Sequence, residues 1–230
     1  MKITWLGHAG FRIEIGNQIL LVDPWLESNP AFPEDRLAEA IKGATAILMS
    51  HGHFDHTGDV LEIARELQIP VVGSFDIVSH WEASEDIHGV GFNKGGTVQL
   101  GNVKVTMVHA VHSSSLGTDH GPMYAGSEAG FMIAQGGRTI YFSGDTDVMM
   151  DMELFQDLHH PEIGILCCGG HFTMDMARAA YAAKRFFTFK TVIPCHYKTF
   201  PLLEQSAQPL VDALPNVDVK TPEVMETLIL

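Results

Sequence analysis

The chain has 230 residues, of which 46% are hydrophobic and 18% are charged. This composition is typical of a globular protein with a buried core and excludes wholesale disorder. A formal net charge of −14 opposes nonspecific binding to nucleic acid or to an acidic membrane. The opening residues lack a signal-peptide pattern, and three cysteines cannot form a disulfide framework, so we expect a cytoplasmic protein without a membrane partner.

Short apolar runs separated by Gly-rich turns predict a strand-rich first half. Gly16-Asn17 is suited to a tight hairpin, and Pro33 begins a predicted helix that continues to Ile41. A second helical pattern places Val60 and Ala64 on one face. The predicted strands of this half are Ile3–Leu6, Phe11–Ile15, Ile19–Val22, Ala46–Met49 and Val71-Val72.

The rest of the chain continues the mixture of hairpins and strand–helix units. A Gly-, Ser- and His-rich stretch from His109 to Gly130 is predicted to be a long loop that forms the specificity wall of a site, with Ser113–Ser115, His120 and Tyr124. The predicted strands are Val98–Leu100, Val103–Val108, Phe131–Ala134, Thr139–Phe142, Ile163–Leu166 and Thr191–Pro194, and the predicted helices are Ile77–Ala83, Asp175–Phe186 and Leu202–Leu214. We therefore predict an α/β fold of two mixed sheets with helices outside, forming one domain over residues 1–230.

The strongest chemical signal is the segment His51-Gly-His53-Phe-Asp55-His56, directly after an apolar strand and before a helix. Imidazole and carboxylate groups are good ligands for zinc and similar ions. Glycine at position 52 allows a tight turn in which successive side chains converge. This segment predicts a metal site.

Further ligand types occur after later predicted strands. His112, Asp145 and His196 each follow an apolar strand, at the edge where sites of α/β proteins assemble. With the four residues of the first segment, they make seven candidate ligands, which is too many for one tetrahedral ion. Seven ligands suit two ions that share a bridging carboxylate and hold a hydroxide between them.

The sequence resembles the metallo-β-lactamase superfamily, because HGHFDH matches its HxHxDH signature. It is most similar to a family of small bacterial metal-dependent hydrolases related to the ascorbate-phosphate lactonases. The stretches that carry the resemblance are Gly7–Gly10, Leu21–Trp25, Asn93–Gly96, Ala110–Ser114, Ser143–Thr146, Gly169–Met174 and Pro194–Tyr197. The resemblance implies a four-layer αββα sandwich with the site in the cleft between the sheets.

The resemblance also implies a distribution of ligands. One ion is assigned to His51, His53 and His112, the other to Asp55, His56 and His196, and Asp145 bridges the two. Spacing alone does not choose between His109 and His112. The family pattern Ala-x-His-Ser falls on Ala110–Ser113 and selects His112.

Supporting residues are less directly indicated. The resemblance places His8 beside the metals, where we assign it a catalytic role with Asp55, which would orient the nucleophile and move protons. In similar folds an aspartate at the position of Asp23 orients a metal-binding histidine. His171 is placed around the site, facing substrate. Cys167 and Cys168 are interpreted as buried apolar residues, and the role of Cys195 is left open.

These features predict a metal-dependent hydrolase that uses a metal-bridging hydroxide on a small ester, lactone or phosphodiester. We expect two divalent ions, zinc first, with manganese, nickel or iron as alternatives. A diiron redox enzyme and a non-catalytic metal-binding protein are the competing interpretations. The expected partner is a small-molecule substrate and no nucleic acid, and a homo-oligomer is left open.

Overall fold

The computed structural model describes all 230 residues, and two seven-stranded mixed β-sheets form its centre. The first sheet has the spatial order β16 (Thr227–Ile229), β1 (Lys2–Trp5), β2 (Phe11–Ile15), β3 (Gln18–Val22), β4 (Ala46–Met49), β5 (Val71–Ser74) and β6 (Gly89–Phe92). The second has the order β7 (Thr97–Leu100), β8 (Val103–His109), β11 (Ala129–Gln135), β12 (Arg138–Phe142), β13 (Ile163–Cys167), β14 (Thr191–Cys195) and β15 (Asp218–Val219).

The two sheets have the same pairing scheme. In the first sheet β16, β1, β2 and β3 pair antiparallel, and the pairing from β3 through β6 is parallel. In the second sheet β7, β8, β11 and β12 pair antiparallel, and the pairing from β12 through β15 is parallel. Strands β3 and β12 therefore occupy equivalent positions, as do β4 and β13, and β5 and β14.

The core lies between the sheets and beneath the outer helices. Strand β2 alternates buried Phe11, Ile13 and Ile15 with more accessible charged residues, and the Phe11 ring meets Phe142 of the other sheet at 6.2 Å between centroids. The helices are α1 (Leu37–Ile41), α2 (Phe54–Thr57), α3 (Val60–Leu67), α4 (Phe75–Ser84), α5 (Asp151–His159), α6 (Met176–Phe186) and α7 (Gln208–Ala213).

The outer helices complete the layers. Val60, Ile63 and Ala64 of α3 pack over the first sheet, and the alanine-rich face of α6 packs over the second. The predicted four-layer αββα arrangement is confirmed. None of the helices combines the length and the apolar character that crossing a lipid bilayer requires.

Several predicted elements need correction. The predicted long loop contains a hairpin, β9 (Ser115–Thr118) with β10 (Gly121–Tyr124), whose polar composition hid the strand pattern. The predicted helix from Leu202 is restricted to α7, because Pro209 fits only its first turn. The segment from Glu34 begins with a short 3-10 helix before α1. Strand β6 and helix α5 were absent from the prediction.

Candidate metal centre

The candidate ligands lie on loops that leave the same edge of the two sheets. The HxHxDH segment begins two residues after β4, and His53 precedes the first turn of α2. In the second sheet, His112 follows β8, Asp145 follows β12, and His196 comes directly after β14. Because adjacent strand ends of the facing sheets converge at this edge, residues far apart in sequence form one cluster.

One group of the cluster consists of His51, His53 and His112. His51 Nε2 lies 3.0 Å from His53 Nδ1, and the ring of His112 lies 5.2 Å from each of the other two rings, between centroids. Each residue offers a nitrogen atom close enough to the others to hold one metal ion.

A second group consists of Asp55, His56 and His196. Asp55 Oδ2 lies 3.7 Å from His56 Nε2 and 3.5 Å from His196 Nε2. Nitrogen and carboxylate oxygen atoms face one another here, and this donor set suits a divalent ion. The group is buried except for Asp55, whose carboxylate is partly accessible.

Asp145 lies between the two groups. Its Oδ2 atom is 3.6 Å from His112 Nε2, 3.3 Å from His56 Nε2 and 3.1 Å from His196 Nε2. A single carboxylate therefore contacts ligands of both groups, the position expected of a bridging residue.

Asp23 supports the cluster from beneath. Its carboxylate accepts hydrogen bonds from the Ser50 backbone N–H at 2.7 Å and the Ser50 hydroxyl at 2.5 Å, and it contacts His56 Nδ1 at 2.7 Å. A carboxylate only accepts, so His56 Nδ1 carries a proton, and Nε2 is the nitrogen that faces the cluster. Because the Ser50 hydroxyl donates to Asp23, its oxygen accepts from His51 Nδ1, 3.0 Å away, which leaves His51 Nε2 free as a ligand.

His8 contacts Asp55 rather than presenting a free nitrogen. His8 Nε2 donates to Asp55 Oδ2 at 2.9 Å, and His8 Nδ1, 2.9 Å from the Thr199 hydroxyl, accepts from it. The carbonyl oxygen of His8 accepts hydrogen bonds from the Trp5 indole at 3.0 Å and from the His196 N–H at 2.8 Å. Both ring nitrogens are engaged, so His8 orients Asp55 and also helps to fix the loop of His196.

Several buried polar atoms of the cluster have no hydrogen-bond partner, which bears on whether these residues fit a metal. His56 Nε2, His196 Nε2 and Asp145 Oδ1 are buried and have no hydrogen-bond partner. Buried polar atoms without partners are costly, and they are rare in folded proteins. All three belong to the same cluster and are of ligand type, so the residues fit divalent ions.

The two groups differ in protonation. Burial lowers the pKa of His51, His53 and His112, so these imidazoles are neutral near pH 7, as a ligand must be. Burial also opposes the charged forms of His56 and His196, but Asp145 and the other nearby carboxylates together outweigh it, raising the pKa of His56 well above its usual value and that of His196 to about 9. Without a metal, two imidazolium ions therefore balance the buried carboxylates.

Three residues of the cluster have left-handed backbone: φ is 50° at His8, 45° at Asp23 and 59° at His196. Non-glycine residues seldom adopt this conformation, although Asp and His tolerate it better than most. A glycine is required beside them, because a Cβ at Gly169 would overlap the carbonyl oxygen of His196. The cluster is thus held by backbone geometry as well as by side-chain contacts.

Other residues that the sequence indicated as candidates lie outside the cluster. His109 ends β8, and its Nδ1 is 3.3 Å from the amine of Lys94. His171 is exposed, its ring lies 4.5 Å from that of Phe172, and it lines a separate surface groove, so the structure does not bring it to the ligands. The three cysteines are buried and unpaired.

Sequence reasoning missed Ser50 and Thr199. Ser50 directly precedes the first ligand, and Thr199 lies three residues after the last one. Adjacency to ligands was the signal that could have indicated them.

The cluster forms the floor of a cleft of about 790 Å³. The floor residues that reach it are His53, Asp55, His112, Asp145 and His196. Its walls are Phe54, Ser113, Ser115, Gly117, Thr118, Gly121, Pro122, Phe172, Phe200, Pro201 and Leu202. The hairpin β9–β10 contributes to the walls as predicted for this segment, whereas Tyr124 lines a different groove.

A family model described as a beta-lactamase superfamily domain matches residues 2–196. The chain belongs to the metallo-β-lactamase superfamily. This superfamily member is 69% identical over 228 residues to a UPF0173 metal-dependent hydrolase of Dinoroseobacter shibae, and 63% identical over 228 residues to one of Paracoccus denitrificans, with 99% of each chain covered in both cases.

A solved structure supports the same assignment. Igni18, a metallo hydrolase of the hyperthermophilic archaeon Ignicoccus hospitalis, is 29% identical and superposes with a TM-score of 0.86, over 99% of this chain and 97% of that one. The family predicted from the HxHxDH signature is confirmed. This superfamily member is a metal-dependent hydrolase.

Proposed function

We propose that the protein is a dinuclear hydrolase that cleaves a small ester, lactone or phosphodiester. The observation that carries the proposal is the position of Asp145, whose Oδ2 lies within 3.6 Å of ligand nitrogens in both groups. In this assignment His51, His53 and His112 hold one ion, and Asp55, His56 and His196 hold the other. Asp145 serves both.

We propose zinc as the resident metal, with manganese, nickel or iron as alternatives. The donors are imidazole nitrogens and carboxylate oxygens, which zinc accepts but which do not select it sharply. Burial raises the pKa of Cys167 to about 12, so a thiolate there is disfavoured as a ligand. The buried, unpaired cysteines are compatible with the reducing cytoplasm, which we propose as the location.

Two bound ions would supply Lewis acidity and lower the pKa of a coordinated water. The protein's own side chains position the other reacting groups. Asp55 faces the cleft with its carboxylate held by His8, and it is placed to orient a nucleophilic water and to move its proton. Burial and the neighbouring His196 lower the pKa of His8 to about 4. His8 is therefore neutral at pH 7 and keeps its donor to Asp55.

Metal analysis combined with a substrate screen tests this function. The protein should be reconstituted with zinc, manganese, nickel or iron and assayed on chromogenic esters, lactones and phosphodiesters. We expect close to two ions per chain and hydrolysis that stops on chelation. Asp145→Asn should lower the affinity for both ions and abolish turnover, because the bridging carboxylate is shared.

The matched control is Asp147→Asn, two residues away. The Asp147 side chain is half-buried and pairs with Arg178 at 3.0 Å rather than with a ligand, so this change should leave metal content and turnover intact. No more than one tightly bound ion would contradict the dinuclear assignment. Iron with oxygen-dependent turnover would favour a diiron redox enzyme, and full metal content without any turnover would favour a metal-binding protein.

A further inference from the structure

The walls of the cleft differ in chemistry from its floor. The floor carries the histidines and carboxylates of the metal cluster, whereas all eleven wall residues are uncharged. A volume of about 790 Å³ lies within the range of small-molecule sites. The substrate therefore has room for a sizeable group beyond the bond that reacts.

Large apolar side chains are exposed in these walls. Phe54 is 65% exposed, Phe172 52% and Leu202 64%. A single exposed apolar residue is normal in any protein. Three that line one cleft next to a reactive floor are typical of a ligand-binding surface.

Part of this wall is rigidly supported. The buried Trp25 ring lies 5.5 Å from Phe54 and 5.8 Å from Phe200, between centroids, so the two phenylalanines flank a fixed indole. Aromatic contacts of this kind stabilise side-chain positions beyond simple burial. An apolar group that enters the cleft meets a preformed surface.

We propose, on the basis of the hydrolase function above, that the substrate is an uncharged ester or lactone. Its apolar portion lies against Phe54, Phe172 and Leu202. Water adds to the acyl carbon and the acyl–oxygen bond breaks. The leaving oxygen takes a proton to become an alcohol, and the acid product releases one to solvent. The remote end of the substrate contacts only uncharged walls.

Charge favours this class over anionic substrates. A carboxylate or phosphate on the remote portion would lose its hydration against Phe172, Leu202 and Pro122, which offer no compensating charge. The net charge of −14 also repels anions as they approach. An apolar chain instead gains free energy from every methylene that leaves water.

A matched substrate series tests the proposal on the zinc-loaded protein. The p-nitrophenyl esters of butyrate, hexanoate and octanoate vary chain length, and the adipate monoester carries a carboxylate in place of the terminal methyl of hexanoate. We expect kcat/KM to rise about four-fold per methylene. The adipate ester should be at least ~10-fold poorer than the hexanoate ester. Bis(p-nitrophenyl) phosphate should be a poorer substrate than the hexanoate ester.

A charge change in the wall tests the location. Leu202→Lys offers the carboxylate a partner, so it should lower the ratio of kcat/KM for the hexanoate ester to that for the adipate ester by about 2- to 5-fold. The matched control is Leu158→Lys on the outer helix α5, where Leu158 is 72% exposed. It makes the same change of net charge and should leave the ratio unchanged.

Binding of hydrolysis-resistant analogues separates this proposal from the hydrolase function. Hexananilide should bind at least ~10-fold more tightly than its terminal carboxylate counterpart in calorimetry. If hexananilide shows that preference but no ester is turned over, the hydrolase function fails and the cleft assignment stands. Faster turnover of adipate or of the phosphodiester, or a ratio unaffected by Leu202→Lys, would overturn the substrate class while the hydrolase function stands.

Discussion

The two sheets share one pairing scheme but contribute different chemistry at equivalent strand ends. Asp23 comes directly after β3, and Asp145 comes three residues after the equivalent strand β12. Asp23 contacts the Nδ1 side of His56 and Asp145 the Nε2 side. The loop after β4 carries four ligands, whereas the loop after β13 begins with Cys168 and Gly169 and carries none. The topology thus places loops of both sheets at one edge. The side chains of each loop determine whether it binds metal or supports the ligands.

The largest expected difference is between the loops after β4 and β13. His51→Ala removes a buried ligand and should reduce turnover by more than ~100-fold, because loss of a mere supporting partner already costs 10–100-fold. Cys168→Ala, in the equivalent loop, should keep metal content and turnover. Elemental analysis and initial rates on the same preparations measure both. Retained metal in His51→Ala would break the comparison.

The end of β8 and the loop after it provide a second contrast within a few residues. His112→Ala should lose the ion held with His51 and His53 and reduce turnover by about 100-fold. His109→Ala removes only a contact with Lys94 and should keep both. Metal stoichiometry of the two variants decides between them. Metal loss in His109→Ala with full content in His112→Ala would reverse the ligand assignment.

Supporting residues of the first sheet should have intermediate effects. Asp23→Asn weakens the acceptor for His56 and should lower metal affinity about 10-fold. His8→Ala frees Asp55 and should lower the rate about 10-fold while metal content stays near normal. Titration with a chromophoric chelator and steady-state kinetics separate these outcomes. Complete metal loss in His8→Ala would make His8 a ligand rather than a positioning residue.

The two metal groups should also differ in the pH dependence of their metal affinity. Near pH 7 His51, His53 and His112 are neutral, whereas His196, with a pKa of about 9, must lose a proton to bind. His56 of the same group is also protonated near pH 7. Affinity at this group should therefore rise at least about tenfold per pH unit between pH 7 and 9, and affinity at the other group should change less. Calorimetry in buffers of different ionisation enthalpy measures the released protons. Equal proton release at both steps would contradict the difference.

Much of this arrangement could be predicted from local patterns. Apolar residues mark the bounds of buried strands such as Phe11–Ile15 and Ala46–Met49. The HGHFDH segment is specific enough to indicate both family and chemistry. The hairpin β9–β10 was missed because Ser, Gly and Thr give no alternation of apolar residues. The outward position of His171 depends on where the loop after β13 turns, which tertiary packing determines. The apolar cleft joins Phe54, Phe172 and Leu202 from distant segments, so no local pattern could reveal it.

The left-handed backbone at His8, Asp23 and His196 has a consequence for the evolution of stability. Each such residue costs roughly 1–3 kcal/mol that a glycine would not incur. The backbone conformation alone would favour glycine at all three positions, but each replacement would remove an imidazole or a carboxylate from the cluster. Functional selection must therefore maintain three locally unfavourable residues, and the surrounding packing sets how many of them the fold tolerates.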